Sequence, residues 1–203
     1  MNHSYETLPE GYTKAFSIDL QKDKKLMLLV NGIALLIAAV MIAVMAVFVP
    51  FRDLYTSISE IMEQNPIIYL IGCGVLIVSL VVYIILHEAV HGFTMKLYGA
   101  KKIKYGFTGV YAFAGSDTCF AKKPYIVVGL APVVVFGVIF AVLQLLMPNP
   151  FYMWLVYILQ IANISGAGGD LYVSIRFSKL PADILVQDSG VGMKVFTRKH
   201  EQS

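Results

Sequence analysis

Two histidines four residues apart, with a glutamate beside the first, occur at His87-Glu88-Ala89-Val90-His91. On a helix, residues i and i+4 share a face, so both imidazoles can point at one metal ion. Glu88 can then reach a water on that ion and take its proton. The setting separates this motif from a chance match. The stretch before it, Ile67 to Leu86, carries no charge over 20 residues. Ionisable side chains at membrane depth are rare, and they mark functional sites.

The remaining ionisable residues narrow the search for a third ligand. His3 and His200 lie in polar terminal segments, and the only other acid within the apolar runs is Asp170. His87 is 20 residues past Ile67, and Asp170 is 19 past Phe151. At about 1.5 Å per helical residue, each is roughly 30 Å from the outer end of its span. The two histidines and the aspartate therefore share one depth. Two histidines and one carboxylate are a standard catalytic zinc set, with the fourth position left for water. One zinc ion is the expected cofactor, held by His87, His91 and Asp170, with Glu88 as the catalytic base.

The residues around Asp170 are unusual for a span. Gly166, Gly168 and Gly169 would weaken or unwind a helix there, and irregular backbone at membrane depth is tolerated only where it is buried or lines a cavity. Asn163 reads equally as an interhelical hydrogen bond and as a donor to a substrate carbonyl or oxyanion. Gln144, Gln160 and Asn31 read as interhelical glue. Asp117 is a loop carboxylate and is expected to be solvated rather than a ligand.

These side chains must be positioned by membrane helices. Hydrophobic residues make up 58% of the 203-residue chain and charged residues 14%, against about 25% charged in a soluble domain. The expected fold is an all-α integral membrane protein with four transmembrane helices. Its divisions are an N-terminal segment (1–25), a membrane domain (26–177) and a tail (178–203). The first span runs from Leu26 to Val49, ahead of Pro50. Residues 50–66 fit an external loop or interfacial helix. The second span starts after Pro66, passes through the motif and ends at Tyr98, with Gly99 as its stop. The third runs from Tyr125 to Met147, with a kink expected at Pro132. The fourth runs from Phe151 to Phe177.

Between the second and third spans, period-two alternation predicts a small membrane-associated β segment. Tyr105, Phe107, Tyr111 and Phe113 fall on one face and Val110 on the other, with a turn near Gly115-Ser116-Asp117. Phe107, Gly109 and Tyr111 are the residues expected to offer a strand edge to an unwound substrate. A structural hairpin at the membrane interface is the competing reading of that segment. In the N-terminal segment, Phe16, Ile18 and Leu20 alternate with polar residues, which fits a strand or a tail without structure equally.

Every Lys and Arg except Arg52 lies on the side that holds the termini and the 93–124 segment. Positive charge marks the cytoplasmic side. Both termini and the motif are therefore expected there, in a multi-pass protein of the cell membrane. The two cysteines, Cys73 and Cys119, give no disulfide framework. The first apolar run is too long for a signal peptide and is expected to stay in the protein. The expected partners are the lipid bilayer and a membrane protein or peptide substrate, with no nucleic acid.

His87-Glu88-Ala89-Val90-His91-Gly92, then Gly99 and the Lys-rich segment 101–115, resembles the site-2 protease group of intramembrane zinc metalloproteases. The resemblance implies a β region after the motif helix and a third ligand on a later helix, a role that falls to Asp170. It also matches Asn163 to an asparagine that precedes that aspartate. The group's prolines are replaced here by a Ser/Gly run, and Asn163 stands one residue closer to Asp170 than the group's spacing. Over nearly its full length the chain is similar to a bacterial family of zincin peptidases with four spans and a Gly-Asp near the last one. Both resemblances imply hydrolysis of peptide bonds in membrane proteins near the cytoplasmic face. Two other classes fit part of the pattern. A non-catalytic zinc protein needs a fourth protein ligand, and none is evident. A transporter with a His/Asp relay is disfavoured by four spans without a repeat.

Overall fold

In the computed structural model, residues 3–19, 22–109 and 111–198 are described. Leu20, Val110 and His200 of the reading above lie outside them. The chain divides into two compact units: residues 1–30, 85–132 and 169–203 form one, and residues 31–84 and 133–168 the other.

Helix α1 (Lys24–Phe48) opens with the Asp23 carboxylate accepting from the Leu26 amide at 3.0 Å. That bond satisfies one of the orphan donors of the first turn. Helix α2 (Phe51–Gln64) fills the loop region and is strongly amphipathic, as an interfacial helix should be. Asn65 ends α2 and starts α3 (Pro66–Leu97), its side chain accepting from the Ile67 amide at 3.1 Å. Pro66 then sits at the first helical position, where a missing N–H costs nothing. Helix α3 closes where Gly99 adopts φ +97°, with Gly99 donating to Lys96 and Ala100 to Met95. This paired C-terminal motif needs a left-handed residue, which glycine supplies without strain.

Helix α4 (Lys122–Leu146) carries Pro132 inside it. Three helices, α1, α3 and α4, are long and apolar enough to cross a membrane. The expected fourth span is two helices instead. Helix α5 (Pro150–Gly166) has 17 residues and α6 (Gly168–Ser178) has 11, and neither reaches the roughly 20 needed to span alone. The break is confined to Ala167, so the glycines around it remain helical rather than unwound. Leu35, Ile77 and Leu145 stay exposed on the three long helices, a surface suited to lipid.

The all-α expectation needs correction. The terminal segments, with β5 from the connection between α3 and α4, build a five-stranded sheet in the order β1-β5-β6-β7-β2. Its strands are β1 (Ser4–Tyr5), β2 (Tyr12–Ile18), β5 (Cys119–Ala121), β6 (Leu185–Asp188) and β7 (Met193–Arg198). Cys119 is a buried residue of β5. A second, two-stranded sheet pairs β3 (Lys104–Phe107) with β4 (Ala112–Gly115).

The hairpin also differs from expectation. It reverses at Thr108–Tyr111, where the Thr108 amide donates to the Tyr111 carbonyl, with Gly109 at φ +89°. Facing pairs share a side of the sheet. Phe113 opposes Gly106, while Tyr105 and Phe107 oppose Ala114 and Ala112. The single aromatic face is therefore split, because the turn comes earlier than the alternation implied.

The core of the first unit joins the sheet to the helices that carry the site. Ile18, Phe120, Ile184, Val186 and Val195 of the sheet side pack with Met95 of α3, Val128 of α4 and Val173 of α6. Met95 is one turn beyond His91, and Val173 is one turn beyond Asp170. Helices α3 and α6 are thus anchored next to His91 and Asp170. In the second unit, Met45, Val49 and Trp154 form a core, and Tyr83 packs edge-on to Phe136.

Candidate metal centre

The side chains of His87, His91 and Asp170 meet within the first unit. Each offers one ligand atom, and these atoms lie within 4.8 Å of one another. His87 Nε2 is 3.5 Å from one Asp170 oxygen, and His91 Nε2 is 3.5 Å from the other. A charge-assisted N–H···O bond would be about 2.7–2.9 Å. Two ligands about 2.1 Å from a tetrahedral zinc stand about 3.4 Å apart. The spacing thus fits a shared ion better than direct pairing, and the donor set, two imidazoles and a carboxylate, suits zinc. Both histidines are 8% exposed, so the cluster is shielded without being sealed.

Helix α3 places the motif as its spacing requires: the two imidazole rings lie 4.9 Å apart, edge to face. His91 Nδ1 lies 2.9 Å from the Val128 carbonyl oxygen. A carbonyl only accepts, so Nδ1 carries the proton and Nε2 keeps its lone pair for the ion. Asp170 enters from the first turn of α6.

Glu88 is half-buried on the same helix, with the backbone of Ala114 beside its carboxylate. The register explains this contact. In an antiparallel ladder, hydrogen-bonded pairs alternate with non-bonded ones. Thr108 and Tyr111 are bonded, so Gly106 pairs through its backbone with Phe113, while Ala112 and Ala114 point their amides outward. The outward edge of β4 thus faces Glu88. The hairpin can sit close to α3 because Gly92 follows the second ligand, and a Cβ there would strike the Tyr105 hydroxyl.

The three residues expected from sequence to offer a strand edge lie at and beside the reversal of the hairpin. Phe107 is exposed at the end of β3, Gly109 lies in the turn, and Tyr111 follows it. Asn163 is fully buried in the second unit. Its Oδ1 accepts from the Tyr83 hydroxyl at 3.1 Å, and its Nδ2 donates to the Val133 carbonyl at 3.1 Å. Gln160 and Gln144 likewise bridge helices, to the Gly137 carbonyl and the Met45 sulfur, and Asn31 is exposed. Asp117 is exposed and paired with Lys104 at 2.6 Å.

One buried residue escaped the sequence reading. Asp188, at the end of β6, accepts from the Tyr125 hydroxyl at 2.6 Å and from the Gly190 amide at 2.8 Å. Its backbone carbonyl accepts from the Ser116 amide at 2.6 Å, just beyond β4. Burial pushes the Asp188 carboxyl above its ordinary range, although both donors favour the anion. Asp188 therefore ties the strand that touches Glu88 to helix α4, which holds His91. The bond from Gly190 is local, but Tyr125 and Ser116, which tie Asp188 to α4 and β4, lie far away along the chain, so no window of sequence marks its role.

The fold and site together define a helical protein with a membrane-type surface and a zincin-like two-histidine, one-carboxylate centre. The family described as "Putative zincin peptidase" matches residues 80–185, just over half of the chain, and the chain belongs to that family. The match takes in His87, Glu88, His91 and Asp170 and ends before Asp188. A protein of Pyrococcus woesei, named "Uncharacterized 24.7 kDa protein in gap 5'region", is 34% identical over 129 residues. Those residues cover 59% of this chain and 53% of the relative, so the chain spans about half of that protein's length. No solved structure matches the chain.

Proposed function

We propose that the protein is a membrane-embedded zinc metallopeptidase of site-2 type. It would cleave peptide bonds of membrane proteins near the cytoplasmic face. The observation that carries this reading is the convergence of His87, His91 and Asp170, with Glu88 next to the first of them on α3. Its support from sequence is the lone H-E-x-x-H at the end of an uncharged span and the positive charge on the side of the termini.

A zinc ion in the cluster would supply Lewis acidity toward water and the scissile carbonyl. The protein residues do the rest. His87, His91 and Asp170 would hold the ion. Glu88 takes one proton from the attacking water and delivers it to the departing amine as the C–N bond breaks, so one water is consumed per bond cut. The backbone of a substrate helix is already hydrogen-bonded, so the helix must unwind before it can react. The outward edge of β4 at Ala112, which the Glu88 carboxylate does not occupy, is where the unwound segment would add. The hydrogen bonds of Asn163 favour an anchoring role over oxyanion contact.

The test compares wild type and Glu88→Gln on a membrane-protein substrate reconstituted with the purified enzyme. Loss of general acid–base action should slow cleavage by about 10²–10⁴-fold, with zinc still bound. Equal cleavage by the two proteins would sink the mechanism.

A further inference from the structure

We propose that Pro132 is a positioning residue for the metal centre: it leaves the Val128 carbonyl without a helical donor and so reserves it for His91. Helix α4 continues on both sides of Pro132. In an α-helix the amide of residue i donates to the carbonyl of residue i−4, so the donor for Val128 would be residue 132. Proline has no N–H, and its ring also crowds that same carbonyl. Val128 is 1% exposed, and Pro132 is among the fully buried side chains. A carbonyl freed at such a place has no bulk water to turn to, and buried backbone groups are nearly always paired.

The pairing comes from the ligand. His91 Nδ1 lies 2.9 Å from the Val128 oxygen. With Nδ1 protonated, the neutral ring has one lone pair left, on Nε2, and that atom stands in the ligand cluster 3.5 Å from Asp170. The proline thus fixes which nitrogen faces the ion and how the ring is aimed, through a carbonyl that an ordinary helix would have used up. Hydrogen bonds from ligand histidines to outer partners are known to set metal affinity. The proposal depends on the metal-centre part of the proposed function and is independent of whether peptides are cleaved.

Pro132→Ala restores the missing amide, which then competes with His91 for the Val128 oxygen. Zinc affinity of the full-length protein, measured by chelator competition, should fall by about 10–100-fold. The metal-free variant should meanwhile be as stable to heat as wild type or more so, since an interior proline disfavours a helix. A purely structural proline would change stability alone, so a variant whose zinc affinity stays within about twofold of wild type overturns the proposal. A second measurement needs no variant. In zinc-loaded wild type labelled with 15N-histidine, His91 should show a protonated Nδ1 and a metal-bound Nε2. Coordination through Nδ1 overturns the proposal. Wild-type protein that takes up no zinc overturns the centre itself, and the proposal with it.

Discussion

The two units use buried polar groups in opposite ways. In the helical unit, the polar bonds between helices are neutral and local in purpose. The Trp154 indole donates to the Val49 carbonyl at 3.2 Å, the Tyr157 hydroxyl to Met41 at 2.9 Å, and Ser57 to Asn149 at 2.7 Å. The charged residues of that unit, Arg52, Asp53, Glu60 and Glu63, are exposed on α2. In the other unit, ionisable groups are buried or half-buried and converge: His87, His91, Asp170 and Glu88, with Asp188 behind them. Neutral pairs of this kind hold helices together and ask for nothing more. Converging ionisable groups would be costly in the absence of a partner, which is why an ion fits there.

The contrast breaks most visibly at Asp170. Asp170→Ala removes the only acidic ligand of the cluster and should abolish zinc binding at equimolar metal, read by elemental analysis of the purified protein. Asp117→Ala, on an exposed carboxylate paired with Lys104, should leave the zinc content at the wild-type value. If Asp170→Ala retains zinc, the distinction between the units loses its chemical meaning.

This pair of residues also shows how much of the site could be read in the sequence. Asp170 was legible because a lone acid in an apolar run stands out, and helix arithmetic set its depth. The end of α3 was legible because Gly99 is a local signal. The five-stranded sheet was not, because β2 pairs with β7, far away along the chain, and β1 has only two residues. No window of sequence contains such a pairing. The split aromatic face of the hairpin was missed because alternation cannot locate a reversal inside itself. Pro132 was read only as a kink, since the side chain that takes its freed carbonyl comes from another helix.

A smaller effect is expected at Asp188, which sharpens the contrast because its role would be to position rather than to bind. Asp188→Asn leaves one of its two donors without an acceptor, and Tyr125→Phe removes one donor. Each should cost about 1–3 kcal/mol of stability. Zinc should stay bound, while Glu88-dependent turnover falls by up to about 10²-fold through misplacement of β4. The pH dependence has a definite sign. A carboxyl raised in the folded state adds stability below its unfolded value of about 3.9, and that stability is lost as pH rises through the folded value. Asp188→Asn should flatten this part of the curve, read by denaturant unfolding across acidic to neutral pH. An unchanged slope would remove Asp188 from the buried ionisable set.

The smallest effect belongs to the helical unit and tests the other side of the comparison. Ser57 is 4% exposed, and its hydroxyl donates to Asn149 Oδ1, which also accepts from the Phe151 amide and so caps α5. Ser57→Ala removes one neutral hydrogen bond but leaves the cap, so about 1 kcal/mol should be lost. Zinc content, the cobalt spectrum of the metal-substituted protein and Glu88-dependent cleavage should all match wild type. A change in the cobalt spectrum would mean that a neutral pair in one unit reaches the ligands in the other. The buried polar groups of the two units would then act as one coupled network, and charge alone would no longer separate structural from chemical residues in this chain.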